Sequence, residues 1–301
     1  MKSIGLTLWR QRVLFMFLLP GAAAVLVFSY APMAGLVMAF QDYRVSDGFL
    51  RGEFVGLDQF RAFLTDPDFY AALRNTLAIS GLTLLIGFPA PVALALMIDA
   101  VASSRFRKVV QSVTYLPHFI TWVFIASLVY RLLDTESGIV NLALVKLGFA
   151  PVSFMQSPGY FWFILVLASV WKSIGWNSII YLAAISGIDP ELHNAGMVDG
   201  ASRFQRMIYI TLPSIVPTIA LMFVLSLGSL VSVNFEAVFN LMNGFVQEKA
   251  DVIDTFVYRN GVQMIKFSYA TAIGLAQSVI ASILVFAGFK FSNKMNGTKL
   301  L

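Results

Sequence analysis

The feature that most constrains this chain is a series of apolar runs, each long enough to cross a lipid bilayer. A spanning helix takes about 20 predominantly apolar residues. Runs of that order extend from Val13 to Phe40, Leu77 to Val101, Val109 to Leu133, Tyr160 to about Ile185, about Ile215 to Val233 and Tyr269 to Phe291. Hydrocarbon offers no partner for backbone N–H and C=O groups, so segments of this kind become helices. The expected fold class is therefore all-α: a polytopic membrane protein with six transmembrane helices, forming a single transmembrane domain over residues 1–301. Composition agrees, with 58% apolar and 12% charged residues, against about 45–50% and about 25% in soluble domains. Pro20, Pro32, Pro89, Pro91, Pro117 and Pro217 fall inside the runs. They are expected to kink or end helical turns rather than to mark domain boundaries.

Six spans put both termini on one side, and the basic residues say which. Eleven Lys and Arg against four acids accompany the termini and even loops, whereas nine basic residues face twelve acids in the odd loops. The cytoplasmic side carries the basic excess, so both termini and the even loops are expected there. The sequence pI near 9.4 then reflects topology. No basic tract of nucleic-acid-binding type occurs, so no nucleic-acid partner is expected. Lys2, Arg10 and Arg12 before an apolar stretch, with small residues at Gly21–Ala24, resemble a cleavable leader. The run continues to Phe40, beyond the length of a leader core, which favours a retained first span.

Chemistry is conspicuous by its absence in this sequence. It has no cysteine, and its two histidines, His118 and His193, lie far apart, so no metal cluster is expected. There is no G-x-x-x-x-G-K-[ST], H-E-x-x-H or G-x-S-x-G motif, and no carboxylate pair sits in mid-span to relay protons. An enzyme is not expected. An ion-coupled secondary carrier, the alternative transport class, lacks its central acids.

Residues 41–75 form an external segment in which Phe54, Leu57, Phe60, Phe63 and Leu64 recur at helical spacing. This is the pattern of an amphipathic helix at a membrane surface or against an external protein. The cytoplasmic loop 186–213 reads SGIDPELHNAGMVDGASRFQRMIYITLP. Asp189 is placed to cap a helix opening at Pro190, and Gly200 to end it. Leu192, Ala195, Gly196 and Asp199 share one face of that short helix. By spacing alone it fits either a connector at the membrane surface or a helix held in another protein's groove.

This loop resembles the signature of permease subunits of binding-protein-dependent ABC importers: Glu-Ala-Ala, three residues, Gly, nine residues, Ile, one residue, Leu-Pro. Asn194, Ala195 and Gly196 fill the first places, Gly200 the glycine, and Ile210, Leu212 and Pro213 the end, with Asp199-Gly200-Ala201 matching a common Asp-Gly-Ala core. Asn194 stands where the family has glutamate, and Glu191, about one turn earlier, is the available substitute for its ion pair. Phe54–Phe60, Leu73–Leu77, Tyr115–Phe119 and Ala250–Thr255 extend the likeness over most of the chain. They point to the maltose-type sugar permeases and, within these, to importers of polysaccharides and uronate oligosaccharides, alginate included.

The resemblance implies a type I ABC importer permease fold in a bacterial cytoplasmic (inner) membrane. It implies a second permease as heterodimer partner, two ATPase subunits, an external or periplasmic solute-binding protein and an oligosaccharide substrate. ATP and Mg are implied to be bound by the ATPase subunits, with no cofactor in this chain. Glu191, Asn194, Ala195, Gly196, Asp199, Gly200 and Ala201 become the ATPase-coupling residues. For the sugar path the sequence offers Trp171, Lys172, Trp176 and Asn177 in the fourth span, with Asn234 and Glu236 near the outer end of the fifth. These combine aromatic faces with hydrogen-bonding groups. Lys172 is the one charge in the middle of an apolar run rather than near its end, where an unpaired ammonium is costly. It serves either the path or the carbonyls of packed helices.

Overall fold

A computed structural model describes residues 12–48 and 52–296; Lys2, Arg10, Arg51 and Lys299 lie outside the described residues. The elements, in order, are α1 (Arg12–Phe40), a two-stranded hairpin β1 (Gln41–Asp42) and β2 (Glu53–Phe54), α2 (Asp58–Leu64) and α3 (Pro67–Ala100). Then come α4 (Ser104–Phe119), α5 (Trp122–Leu132), α6 (Ile139–Lys146), α7 (Pro158–Ser186) and α8 (Pro190–Val198). The last are α9 (Arg203–Val231), α10 (Phe235–Leu241), α11 (Gln247–Ala250), α12 (Ile253–Tyr258) and α13 (Phe267–Asn296). Among the described residues, five helical stretches are long and apolar enough to span, and the bent pair α4–α5 brings the number to six.

Proline chemistry explains how the long helices absorb their breakers. Proline lacks an N–H and crowds the carbonyl four residues back. A wider π-turn relieves this locally. Such turns occupy Leu26–Tyr30, Thr83–Gly87 and Met207–Thr211, just ahead of Pro32, Pro89 and Pro213. The helix resumes each time, so α3 starts at Pro67 and α9 at Arg203, each about ten residues before the apolar run begins. The third run behaves differently. Hydropathy reads Val109–Leu133 as one span, but the chain bends by 102° between α4 and α5, after a 3₁₀ turn at Leu116–Phe119 that contains Pro117.

Backbone contacts divide the chain into two compact units, Met1–Thr65 with Tyr258–Ala276 and Asp66–Val257 with Gln277–Leu301. In the first, β1 pairs antiparallel with β2, Gln41 opposite Phe54 and Asp42 opposite Glu53. The Tyr43 N–H donates to Ser268 Oγ at 3.0 Å. The external segment is thus a hairpin and the short α2. Phe63 is buried while Phe54, Leu57 and Leu64 are exposed, so the helical spacing starts only at Asp58.

In the second unit α7 is the axis. Its outer half packs Phe161, Leu165 and Val166 into a core with Ile79, Trp122, Ile125, Val238, Leu241 and Val246. Its inner half packs Tyr181 and Ile185 against Val92, Ala95, Leu96 and Ile215. Gly175 lies so close to α4 that a Cβ there would overlap the Thr114 carbonyl.

Candidate functional site

The loop after α7 folds into a rigidly bracketed helix. Asp189 Oδ1 accepts the Glu191 N–H at 2.9 Å, and Pro190 opens α8 with its φ preset. At the other end the Gly200 N–H donates to Met197 O (3.1 Å) and the Ala201 N–H to Gly196 O (2.9 Å). That Schellman pattern needs a left-handed residue, and Gly200 supplies it at φ +78°. A capping box follows at once: Ser202 Oγ accepts from the Gln205 N–H, and Gln205 Oε1 accepts from the Ser202 N–H at 2.8 Å. The chain enters α9 with no slack.

No residue of α8 is buried. Glu191, Asn194, Ala195, Asp199 and Gly200 are exposed, Ala201 is half-buried, and Leu192, Met197 and Val198 present apolar surface outward. Gly196 is the exception on its face. A Cβ there would stand 2.9 Å from Ile210 Cδ1 and 3.4 Å from the Arg206 stem. Its small size therefore admits α9 of the same chain, and the Arg206 guanidinium donates back to His193 O at 3.4 Å.

Between α3, α7 and α9 lies a cleft of about 340 Å³. Hydroxyls line it: Ser80 and Thr83 from α3, Ser169, Ser173 and Tyr181 from α7, Ser226 and Ser229 from α9, with Ser232 just beyond. Of the residues expected on a sugar path, Asn177 and Asn234 line this cleft. Asn234 also caps α10, its Oδ1 accepting the Ala237 N–H at 2.8 Å. Trp171, Lys172, Trp176 and Glu236 are not among the lining residues. The hydroxyls escaped sequence reading because serine is common in loops and packed spans; their signal is the recurrence at 169/173 and 226/229, one helix face each.

Lys172 has a different position. Its Nζ donates to His118 O at 2.7 Å and to Ile120 O, and sits 5.9 Å from the Trp122 ring centroid. These carbonyls are freed by the α4–α5 bend, and an ammonium at a helix C-terminus also meets the negative end of its dipole. One turn on, the exposed Trp176 stacks on His118 and meets the edge of Phe119. Glu236, exposed in the first turn of α10, lies within Coulombic reach of Lys172.

Residues 70–294 match the family model described as binding-protein-dependent transport system inner membrane component. The chain is 39% identical over 293 residues to the polygalacturonan/rhamnogalacturonan transport system permease protein YteP of Bacillus subtilis (strain 168), covering 97% of this chain and 91% of that one. It is 38% identical to protein LplB of the same organism, covering 95% and 90%. Among solved structures it superposes with a TM-score of 0.88 and 40% identity on a chain of a bacterial ABC transporter involved in the import of the acidic polysaccharide alginate, over 98% of this chain and 99% of that one. A bacterial alginate ABC transporter in complex with an alginate pentasaccharide-bound periplasmic protein contains a chain 41% identical, also at 0.88, over 97% and 98%. With its six apolar spans and its capped loop helix, the chain belongs to the family of binding-protein-dependent transport system inner membrane components and is a membrane-spanning permease of the ABC importer class.

Proposed function

We propose that this chain is one of two permease subunits of an importer carrying acidic oligosaccharides, alginate or other uronate chains, across a bacterial inner membrane. A second permease supplies the other half of the path, two ATPase subunits bind and hydrolyse Mg-ATP, and a periplasmic solute-binding protein delivers the sugar. The observation that carries the substrate class is the 40% identity and TM-score of 0.88 over 98% of the chain with an alginate importer permease. The polygalacturonan/rhamnogalacturonan permease supports it as a second uronate transporter at similar distance.

The connectivity of the second unit supports a mechanism of coupling. α8 joins α7 to α9, and those two helices carry most of the hydroxyls of the cleft. α9 continues from Arg203 to Val231 through its π-turn at Met207–Thr211; at about 1.5 Å per residue it reaches about 43 Å. A groove on the ATPase that grips Leu192, Met197 and Val198 therefore moves the far end of α9, at Ser226 and Ser229, as part of a rigid body. The Schellman turn and capping box transmit that motion because neither leaves a free hinge. The chain performs no covalent chemistry.

The test is a reconstituted assembly of both permeases and the ATPases, with hydrolysis measured against binding protein loaded with oligoalginate, oligogalacturonate or maltooligosaccharide. Stimulation by the uronate-loaded forms is expected. Stimulation by maltooligosaccharide alone would overturn the substrate class, and stimulation by none would overturn the importer assignment.

A further inference from the structure

Away from the cleft, a recess of about 290 Å³ opens where the end of α5, the segment before α7 and the turn after α10 meet. The charge bias of the sequence puts these segments on the external side. Tyr130, Met155 and Asn243 form its inner wall, with Asp134, Gln156 and Phe245 at the rim. The recess is preformed. Asn243 Nδ2 donates to Tyr130 Oη (3.0 Å) and Met155 O (2.9 Å), and the Tyr130 hydroxyl donates to Leu241 O at 3.0 Å. Asn141 ties the second wall, donating to Asp134 O and Val152 O and accepting the Val152 N–H at 2.8 Å.

Two rim groups are left facing water. Phe245 is 68% exposed although its own N–H is held by Asn243 Oδ1. Asp134 takes the Glu136 N–H, Ser137 N–H and Ser137 Oγ–H on one carboxylate oxygen, Oδ1, and its side chain stays exposed at the rim. The Ser137 bonds hold this carboxyl below the usual carboxylate range, so it is ionised at neutral pH. Asp134 is the one charged residue of the lining.

An anion beside an apolar wall and an exposed aromatic ring fits a long cationic side chain, whose aliphatic stem packs while its head meets the carboxylate. It disfavours an acidic sugar. We infer that this recess is a docking socket for a lysine or arginine side chain of the solute-binding protein. The inference rests on the importer assignment above, and commits to that partner because the recess is external and rigid, and a transporter with a chain 41% identical to this one is seen in complex with its periplasmic protein. A preformed socket also lowers the ordering cost of docking.

The test titrates ligand-loaded binding protein against the assembled transporter in lipid nanodiscs, at two ionic strengths, reading the half-saturating concentration for ATPase stimulation. Asp134→Asn keeps the Oδ1 acceptor of the Ser137 turn while removing the charge. It is expected to raise half-saturation on the order of three- to tenfold at low salt and to flatten the salt dependence. Gln156→Lys, which touches no hydrogen bond of the recess, is expected to act the same way, and Phe245→Ala to raise half-saturation at both salts. A Lys→Glu or Arg→Glu exchange on the binding protein should restore affinity to Asp134→Lys and not to wild type. Unchanged half-saturation and salt slope in all the permease variants, with normal stimulation of wild type, overturns the socket alone. Absence of stimulation in wild type overturns the importer assignment as well.

Discussion

The imidazole of His118 lies flat on the indole of Trp176, 4.4 Å between centroids and 5° between planes. The two meet because Lys172, one turn before Trp176 on α7, holds the His118 carbonyl at 2.7 Å. An i, i+4 pair on one helix thus grips the break in the neighbouring span. Lys172 lies where an intramembrane charge invites a substrate role, and two of its three donors are held by the freed carbonyls of the bend.

Lys172→Met leaves those carbonyls without a partner. The expected cost is about 1–3 kcal/mol, seen as a lower melting temperature of the detergent-purified assembly. Transport of acidic and neutral oligosaccharides should fall in parallel. A selective loss of the acidic substrate would show instead that the ammonium serves the sugar.

The Schellman turn makes Gly200 a sharp test of coupling. Leucine at φ +78° costs about 1–2 kcal/mol and unseats the end of α8, so Gly200→Leu should insert normally yet hydrolyse ATP without transport or lose its ATPase partner. Asparagine tolerates the left-handed region, and Gly200→Asn should recover most of the transport. Equal behaviour of the two variants would remove backbone conformation as the cause.

Gly175 and Gly81 separate close approach from helix propensity. Gly175→Ala pushes a methyl into the Thr114 carbonyl, where only backbone movement relieves it; overpacking of this kind costs about 1–3 kcal/mol or more. Gly81 has nothing within 4 Å of a Cβ, so Gly81→Ala should be neutral or stabilising by up to about 1 kcal/mol. Melting temperatures of the two variants in one detergent decide the matter.

For the cleft, bulk and polarity can be distinguished. Ser173→Phe fills space between α3, α7 and α9 and is expected to abolish uptake in proteoliposomes while the assembly still co-purifies. Ser173→Ala removes one hydroxyl of many and should lower the rate by less than about fivefold, the effect of about 1 kcal/mol. Full uptake by Ser173→Phe would move the path elsewhere.

Much of this molecule is legible along the chain because its solvent dictates it. Apolar runs in hydrocarbon leave the backbone no alternative to helix, so the spans from Val13, Tyr160 and Tyr269 are found nearly at their observed bounds. The loop helix is equally local: Asp189, Pro190 and Gly200 act within a turn of their own positions. The family follows from the spacing of Asn194 to Pro213.

What tertiary structure decided is every feature that depends on a partner distant in sequence. Pro117 signals a break within Val109–Leu133, but hydropathy carries no direction, so the 102° angle and the Lys172 that satisfies the bend from another helix come only from the tertiary structure. Spacing places Gly196 on one helix face with Leu192, Ala195 and Asp199 without saying what meets it, and Ile210 and Arg206 of α9 occupy its open side. The cleft hydroxyls and the socket at Asp134 each draw on segments more than about a hundred residues apart. Local propensity and solvent fix which segments are helical, but close packing alone fixes which faces meet.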